Sequence, residues 1–456
     1  MGEFFGTDGI RGVAGQFPLD APTVERIGYS LAMELRALHG RAPQLIIGRD
    51  TRESGAWIED AIARGIVTAG GSARSAGVIT TPGVAYLTRV LNADAGVVIS
   101  ASHNPYQDNG IKVFAPTGRK LDEATEAAIE RDLKAPADSF PPMQQVVLET
   151  EPQLREQYLA FLREEFGASV ALHGMKLVVD CANGAASELA PRLFAALGAE
   201  VIAINAAPNG VNINLDCGSL HPETLQARIN ATGAALGLAF DGDADRLLMV
   251  DEHGQLVDGD QMLFIVAEYL HAQGKLSGQR VVATVMSNLG LEVALRARGI
   301  ALVRTSVGDK YVLEELLTNG GSLGGEQSGH LIFPELSWAG DGMLSALEVL
   351  RVIRATGQSL GALASGFTRY PQKIVNVRVA SKPQLDTVPP IKAVMDEAVQ
   401  ALGASGRLLV RYSGTENLVR VMVEAADEGQ VQRYVTQVAE VIRQQLEQPI
   451  SEASAV

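Results

Sequence analysis

Three segments of the chain share one order: an apolar stretch, then a glycine-rich or polar loop, then a helix-like pattern. They read QLIIGRDTRESG, KLVVDCANGAAS and RVVATVMSNLG. After the first, Ile58, Ile62 and Ile66 recur at fourfold spacing, as on a helix that covers a sheet. Each repeat later supplies a second apolar stretch that ends in a conspicuous loop: AGVVISASHNP, LGLAFDGDADR and GGSLGGEQSGH. We therefore predict three similar α/β domains with mixed, mostly parallel sheets and a functional loop at the strand ends.

After FTRYPQK the pattern changes to the short strands IVNVRV, RLLVRYS and LVRVMVEA. A helix with one apolar stripe follows, formed by Val431, Tyr434, Val435, Val438 and Ile442. This order predicts a separate, C-terminal α+β domain. A chain of 456 residues is also too long for one core. The predicted domains are 1–148, 149–254, 255–369 and 370–448, followed by a flexible tail over 449–456.

Charge and cysteine content narrow the classes of function. With 38 basic and 53 acidic residues the net charge is −15, and no basic block is present, so we expect no nucleic-acid partner. Cys181 and Cys217 are too few for a disulfide framework, and MGEFFGTDGIRG lacks a signal-peptide layout, so we expect a cytoplasmic protein. No run approaches the ~20 apolar residues of a membrane span, so we expect no membrane partner. The oligomeric state stays open, with a homodimer among the alternatives.

The stretch DGDADR places Asp241, Asp243 and Asp245 at every second position. In a looped backbone these carboxylates can converge on one hard cation, such as Mg²⁺ or Ca²⁺. A solvated acidic turn is the simpler alternative. An EF-hand is a third reading, because Glu252 is the twelfth residue from Asp241, but Arg246 stands where that loop requires glycine.

The stretch SASHNP places Ser102 directly after an apolar strand. Such residues often form a simple turn. A hydroxyl at the end of a buried strand can also attack a substrate, and a phosphoserine there could share a cation with the aspartates. His103 is then a candidate base or hydrogen-bond donor, and Lys112 can move a proton or stabilise charge. A turn histidine and a solvent-facing lysine are the alternatives.

Two further loops carry polar groups. RYSGTENLVR offers Arg411, Ser413, Gly414, Thr415 and Arg420, a mixture of guanidinium, hydroxyl and backbone donors that suits a phosphate monoester. GEQSGH offers a carboxylate, an amide and a hydroxyl, which suit sugar hydroxyls or an amine. Neither loop alone distinguishes a binding site from an ordinary turn.

Taken in order, FGTDGIRG, SASHNP, DGDADR, GEQSGH and RYSGTE closely resemble the loops of the α-D-phosphohexomutase family, over residues 4 to about 445. DCANGA, PNGVNIN, MSNLGLE and GDKYVLE are similar to the bacterial branch that acts on glucosamine phosphates. The resemblance implies four domains around a central active-site cleft. It also implies interconversion of glucosamine 6-phosphate and glucosamine 1-phosphate, feeding cell-wall precursor synthesis, with glucosamine 1,6-bisphosphate as intermediate and activator.

The resemblance also implies a role for each site residue. Ser102 is the phosphoserine, and Ser102 with Asp241, Asp243 and Asp245 holds one Mg²⁺. His103 and Lys112 are the acid/base candidates, and Arg11 lies near the phosphoserine. The implied substrate contacts are Arg246, Lys310, Glu326, Ser328, His330, Arg411, Ser413, Gly414, Thr415 and Arg420.

Three positions depart from the family pattern, and three other functions remain open. Ala244 stands where glycine is usual, Asn417 where proline is common, and Lys310 where this branch often has arginine, whose fork lysine does not reproduce. The alternatives are a phosphoglucomutase or phosphomannomutase with the same mechanism, a metal-dependent sugar phosphatase, and a non-enzymatic regulator that binds a metal or a sugar phosphate. Release of inorganic phosphate would identify the phosphatase.

Overall fold

The computed structural model describes residues 4–6, 8–167, 169–413 and 417–447. The chain divides into two compact units. The larger unit comprises Met1–Met286 and Gly299–Gly366, and the smaller unit comprises Ser287–Arg298 and Phe367–Val456. Within the described residues, no helix combines the length and the apolar composition that crossing a membrane requires.

The larger unit begins with a six-stranded α/β domain. Its elements in chain order are β1 (Phe5–Gly6), β2 (Gly9–Val13), α1 (Ala21–His39), β3 (Gln44–Arg49), α2 (Gly55–Thr68), β4 (Ser72–Val78), α3 (Thr81–Val90), β5 (Ala95–Ile99), β6 (Asp108–Phe114) and α4 (Glu123–Leu133). The sheet order is β1-β2-β6-β5-β3-β4, in which β4, β3 and β5 are parallel. Ile58, Ile62 and Ile66 are buried on α2, so the predicted helix and its covered face are confirmed.

Two further α/β domains repeat this plan. The second contains α5 (Pro152–Phe166), β7 (Lys176–Asp180), α6 (Ala186–Ala196), β8 (Glu200–Ile204), α7 (Glu223–Thr232), β9 (Leu236–Phe240), β10 (Leu247–Val250) and β11 (Leu256–Val257). The third contains α8 (Gly259–Ala272), β12 (Arg280–Thr284), α9 (Leu289–Arg296), β13 (Ala301–Thr305), α10 (Asp309–Asn319), β14 (Gly324–Gly325), β15 (Leu331–Ile332), α11 (Gly342–Thr356) and α12 (Leu360–Ala364). Their sheet orders are β11-β10-β9-β7-β8 and β13-β12-β14-β15.

The three conspicuous loops occupy equivalent places in these sheets. Residues 100–107 join β5 to β6, residues 241–246 join β9 to β10, and residues 326–330 join β14 to β15. Each loop joins two antiparallel neighbours, because so short a connection cannot return the chain for parallel pairing. The sheets are therefore mixed, as predicted, and the parallel part of each is limited to three strands at one end of the sheet.

The smaller unit contains the predicted α+β fold. Its C-terminal elements are β16 (Gln372–Arg378), α13 (Pro389–Leu402), β17 (Gly406–Tyr412), β18 (Leu418–Ala425) and α14 (Glu428–Leu446), with sheet order β16-β18-β17. The predicted stripe of α14 is buried. Helix α9 follows β12 in chain order but belongs to this smaller unit, and Asn288 Nδ2, just before it, donates to Tyr370 O at 3.0 Å and to Glu424 Oε1 at 3.2 Å. The exact domain boundaries given above stay predictions.

Asp341, the N-cap of α11, gives a testable pH dependence of stability. It accepts from Tyr158 Oη at 2.7 Å and from Leu344 N at 3.0 Å, and burial raises the pKa of its carboxyl to about 6. Because the folded state binds this proton more tightly than the unfolded chain, the group's contribution is complete below about pH 4 and is lost as the pH rises through about 6. We expect wild-type unfolding free energy, relative to Asp341→Asn, to fall by about 2–3 kcal/mol across that window in urea titrations. A pH-independent difference would contradict this assignment.

Candidate active site

Ser102 lies in the loop after β5 with its hydroxyl on the aspartate cluster. It is 1% exposed, and its Oγ donates to Asp241 Oδ2 at 2.6 Å. Its φ is +51°, in the left-handed region that side chains rarely adopt, and its backbone N donates to Ser100 Oγ at 2.9 Å. Strained residues cluster at active sites, so the strain together with the contact to a carboxylate favours a reacting hydroxyl over a simple turn.

The three aspartates predicted as metal ligands converge. One carboxylate oxygen of each of Asp241, Asp243 and Asp245 lies within 4.8 Å of the others, and all three residues are buried. Among the described residues, Asp243 Oδ1 and Asp245 Oδ1 are buried without a hydrogen-bond partner. Burial, with the charges of its two neighbours, raises the pKa of Asp241 well above its ordinary value. Buried, mutually repelling oxygen ligands with unused lone pairs form a site that can hold a hard cation.

Ala244 adopts the conformation that explains why glycine is usual there. Its φ is +56°, so a side chain at this position costs on the order of 1 kcal/mol relative to glycine. Its backbone N donates to Asp241 O at 3.1 Å, and its carbonyl accepts from Gly342 N at 3.0 Å. The loop therefore keeps the left-handed turn despite the substitution.

Lys112 on β6 lies inside this cluster. It is 2% exposed, and its Nζ lies 2.9 Å from Asp243 Oδ2, 3.2 Å from Asp8 Oδ2 and 3.6 Å from Asp245 Oδ2. Burial lowers the pKa of Lys112, but the three carboxylates outweigh burial and hold the pKa well above its ordinary value. The alternative of a solvent-facing lysine is excluded. Arg11 pairs with Asp8 and so lies beside Lys112.

His103 contacts the Ser102 hydroxyl and is uncharged at neutral pH. Its Nδ1 lies 3.2 Å from Ser102 Oγ and 3.3 Å from Arg246 Nη1. Burial, together with the charges of Arg246 and Arg11, lowers the pKa of His103 to about 4. Because a guanidinium can only donate, Nδ1 is the accepting nitrogen in this contact.

His330 bridges two carboxylates on the other side of the cluster. Its Nδ1 lies 3.7 Å from Asp245 Oδ2, and its Nε2 lies 3.8 Å from Asp309 Oδ2. Burial lowers the pKa of His330, but the contact with Asp245 and the charge of Asp309 outweigh burial and raise the pKa to about 9. His330 is therefore a cation at neutral pH.

The remaining predicted sugar contacts lie around the third-domain loop. Glu326 Oε1 accepts from Gly308 N at 3.2 Å, and Ser328 Oγ lies 3.5 Å from Glu326 Oε2. Both side chains are half-buried, which leaves polar atoms available to a ligand. Lys310 Nζ pairs with Glu123 Oε1 at 3.3 Å rather than with another predicted site residue. A cavity of about 660 Å³, large enough for a hexose phosphate, is lined by Asp8, Lys112, Lys120, Asp245, Asp309, Lys310 and His330, among others.

In the smaller unit, two predicted arginines face each other across the sheet. Arg411 on β17 is paired in register with Arg420 on β18. Burial and the charge of Arg420 lower the pKa of Arg411. Ser413 is buried, and its carbonyl accepts from Lys382 Nζ at 3.1 Å. Like charges directly opposite each other destabilise a sheet, so this arrangement favours an anion as a ligand. Gly414 and Thr415 lie outside the described residues.

Known family models match four successive segments of the chain. They describe phosphoglucomutase/phosphomannomutase α/β/α domain I at residues 2–139, domain II at 156–254, domain III at 258–370 and the C-terminal domain at 374–441. The chain belongs to the phosphohexomutase family. Phosphohexomutases are isomerases, so the chain is an enzyme of that class.

Individual relatives cover nearly the whole chain. A phosphoglucosamine mutase of Solibacter usitatus is 50% identical over 444 residues, which cover 97% of this chain and 99% of that protein. A phosphoglucosamine mutase of Syntrophus aciditrophicus is 46% identical, covering 98% of this chain and 100% of that protein. The crystal structure of a phosphoglucomutase/phosphomannomutase family protein from Burkholderia thailandensis superposes with a TM-score of 0.79 at 26% identity, covering 97% of both chains. The predicted phosphohexomutase fold is confirmed.

The structure adds residues to the phosphohexomutase site that sequence reasoning missed. Lys120 Nζ lies 2.9 Å from Asp8 Oδ1 and 2.8 Å from Asp309 Oδ1, which links the first and third α/β domains beside Lys112. Thr81 Oγ1 donates to Asp243 Oδ2 at 2.6 Å. Arg52 and Asn214 hold the Ser102 loop. Arg52 carried a signal, because it lies in a polar loop directly after a predicted strand.

Arg411→Gln gives a direct test of anion binding by this phosphohexomutase. We expect KM for the sugar phosphate to rise about 10- to 100-fold, because a charged donor to phosphate contributes on the order of 1.5–3 kcal/mol. Steady-state kinetics would measure this. Arg433→Gln on α14, where the guanidinium lies 5.1 Å from the Tyr434 ring centre, is the control that should retain the wild-type KM. If Arg411→Gln and Arg433→Gln have equal KM values, Arg411 does not contact the phosphate.

Proposed function

We propose that this phosphohexomutase interconverts glucosamine 6-phosphate and glucosamine 1-phosphate through a phosphorylated Ser102. The observation that carries the proposal is the 2.6 Å contact of Ser102 Oγ with one member of a buried aspartate cluster. A nucleophile without a metal site, or a metal site without a nucleophile, would favour another function. The preference for the amino sugar is supported by the names of the two relatives above, which match the chain over nearly its full length.

Mg²⁺ fits the residues at the cluster. Asp241, Asp243 and Asp245 would hold the ion, and Asp243 Oδ1 and Asp245 Oδ1 are buried oxygens without a hydrogen-bond partner in the described part of the chain. Carboxylate oxygens are the ligands that Mg²⁺ prefers, and the fourth protein ligand would be an oxygen on Ser102. When bound, the ion would neutralise phosphate charge that otherwise opposes phosphoryl transfer.

The proposed reaction has two balanced half-reactions. In the first, the Oγ–P bond of phosphoserine 102 breaks and a new O–P bond forms at the free hydroxyl of the sugar phosphate; that hydroxyl gives its proton to a base, and the departing Oγ takes up a proton to become the serine hydroxyl. The product is glucosamine 1,6-bisphosphate. In the second, the bisphosphate has turned round, its other O–P bond breaks, and the phosphoryl group returns to Ser102 Oγ; the serine hydroxyl loses its proton, and the departing sugar oxygen gains one. Either monophosphate can leave, so the same bisphosphate serves as activator of dephosphorylated enzyme.

His103 and Lys112 have different protonation states at neutral pH, so they suit different acid/base roles. His103 is neutral, and its Nδ1 lies 3.2 Å from Ser102 Oγ, so it can accept the proton of the serine hydroxyl as that oxygen attacks. Lys112 is held as a cation by its carboxylates, so it can donate a proton or stabilise phosphate charge. Glu326 and Ser328 are available to sugar hydroxyls, and Arg411, Ser413 and Arg420 supply donors suited to a phosphate monoester.

Phosphorus NMR tests the proposal. The protein is incubated with Mg²⁺, a trace of glucosamine 1,6-bisphosphate and glucosamine 6-phosphate, with glucose and mannose 6-phosphates in parallel. A new anomeric phosphate resonance, formed fastest from the amino sugar, is expected. If another sugar phosphate is converted fastest, the proposed substrate is wrong, but the proposed phosphoryl transfer through Ser102 is retained. Release of inorganic phosphate without isomerisation would identify a sugar phosphatase instead. The cytoplasmic location and the choice between monomer and homodimer stay predictions.

A further inference from the structure

The loop that carries Ser102 is bound from beneath by a buried arginine. Arg52 is 1% exposed, and its Nε donates to Asp50 Oδ2 at 2.9 Å. Its Nη1 donates to Pro105 O at 2.6 Å. Its Nη2 donates to Ser102 O at 3.0 Å and to Asn104 O at 2.9 Å. One guanidinium therefore binds three carbonyl groups of a six-residue stretch, SASHNP, and Pro105 O also accepts from Asp108 N at 3.1 Å.

A second side chain reaches the same loop from the second α/β domain. Asn214 Nδ2 donates to Ser102 O at 2.9 Å and to Asn104 O at 3.0 Å. The metal-site loop also approaches closely, since a Cβ added at Gly242 would lie 2.4 Å from Ser102 O. Ser102 O is thus held by donors from both domains at the point where the two loops meet.

The hydrogen bonds from Arg52 and Asn214 stabilise the strained backbone conformation of Ser102. The left-handed φ of Ser102 costs on the order of 1 kcal/mol, and such a conformation persists only where surrounding contacts determine it. Rotation of this peptide toward an ordinary conformation would turn Ser102 O away from Arg52 and Asn214. The same rotation would move Oγ away from Asp241, because both atoms are fixed to one residue. The five hydrogen bonds therefore set where the hydroxyl points.

We propose that Arg52 and Asn214 are positioning residues for phosphoryl transfer at Ser102. The inference rests on the proposed role of Ser102 as phosphoryl carrier. Both side chains donate to carbonyl groups of the loop, and within the described part of the chain neither hydrogen-bonds to any of the three aspartates. Their removal should therefore reduce kcat and leave KM and metal affinity close to wild type, since a misplacement of about 1 Å can cost on the order of 100-fold in rate.

Asn214→Gly is the deciding variant. Asn214 has φ +59°, which glycine adopts without strain, so the change removes the amide donors and keeps the backbone. The matched control is Asn205→Gly, since Asn205 has φ +48° and donates to Asp180 Oδ2 at 3.0 Å, outside the loop. We expect kcat to fall about 10- to 100-fold in Asn214→Gly only, with KM within about 3-fold of wild type. The ³¹P resonance of phosphoserine 102 should shift in Asn214→Gly and not in the control.

Arg52 requires a paired change. Its removal alone would leave the Asp50 carboxylate buried without a cationic partner, a cost that can unfold a protein. Arg52→Met combined with Asp50→Asn removes both charges, and we expect a folded protein with a kcat loss at least as large as that of Asn214→Gly. Wild-type kcat in Asn214→Gly, or a rise in KM at unchanged kcat, would overturn the inference. If wild-type protein produces no isomer, or Ser102→Ala retains full activity, the proposed function fails instead.

Discussion

Ser102→Ala is expected to lower mutase activity by more than about 10⁴-fold, because the variant lacks the oxygen that carries the phosphoryl group between half-reactions. The protein should remain folded, since alanine is smaller than serine and adopts the same left-handed backbone at a similar cost. Phosphorus NMR of the glucosamine phosphates would measure the loss. Mass spectrometry after exposure to the bisphosphate should show one added phosphoryl group on wild type and none on the variant.

Ser30→Ala is the matched control for this experiment. Ser30 is also 1% exposed and its Oγ also donates to an aspartate, Asp132 Oδ2, at 2.6 Å, but it lies on α1 away from the aspartate cluster. Both variants lose one buried hydroxyl and one hydrogen bond, so their stabilities should change by a similar amount, about 1 kcal/mol. Only Ser102→Ala should lose activity. Retention of activity by both would show that phosphoryl transfer does not pass through Ser102.

The repeated architecture followed from the sequence because its signals are local. A strand that runs into a polar loop and an amphipathic helix is readable within about 25 residues, and three copies in one chain reinforce one another. How many strands of each sheet are parallel was harder to predict from the sequence. Strands β14 and β15 have two residues each, Gly324–Gly325 and Leu331–Ile332, and such short segments carry no periodicity. Their antiparallel pairing depends on the loop between them, which sequence reasoning treated only as a functional motif.

The candidate site divides in the same way. Ser102 and the three aspartates were predictable because a serine after an apolar strand and three alternating aspartates are recognisable within a few residues of sequence. Asp8, Lys120 and Asp309 were not, because their ion pairs join residues more than 100 positions apart and depend on how the domains pack. Arg52 was visible as an arginine in a loop, yet its role depends on the directions of backbone carbonyls, which no residue type encodes.

Asp243→Asn is expected to weaken divalent metal binding at least about 100-fold and to lower activity in parallel at a fixed Mg²⁺ concentration. Asp243 is fully buried, and its Oδ2 accepts from Lys112 Nζ at 2.9 Å and from Thr81 Oγ1 at 2.6 Å. An amide oxygen can keep these two contacts, so the fold should survive. The amide nitrogen would then occupy the place of a carboxylate oxygen that has no hydrogen-bond partner among the described residues, and it cannot bind a cation.

Mn²⁺ titration followed by electron paramagnetic resonance measures this affinity without any turnover. Asp251→Asn is the control, because Asp251 is also buried in the second α/β domain but its Oδ1 accepts from His253 N at 2.9 Å and from Gln255 N at 2.8 Å in a turn outside the cluster. If Asp243→Asn binds Mn²⁺ with wild-type affinity, Asp243 is not a ligand and the metal binds elsewhere. If Mn²⁺ affinity is lost but activity is retained, the metal is not needed for phosphoryl transfer. Affinity and activity should fall together only if the cation neutralises the phosphate charge.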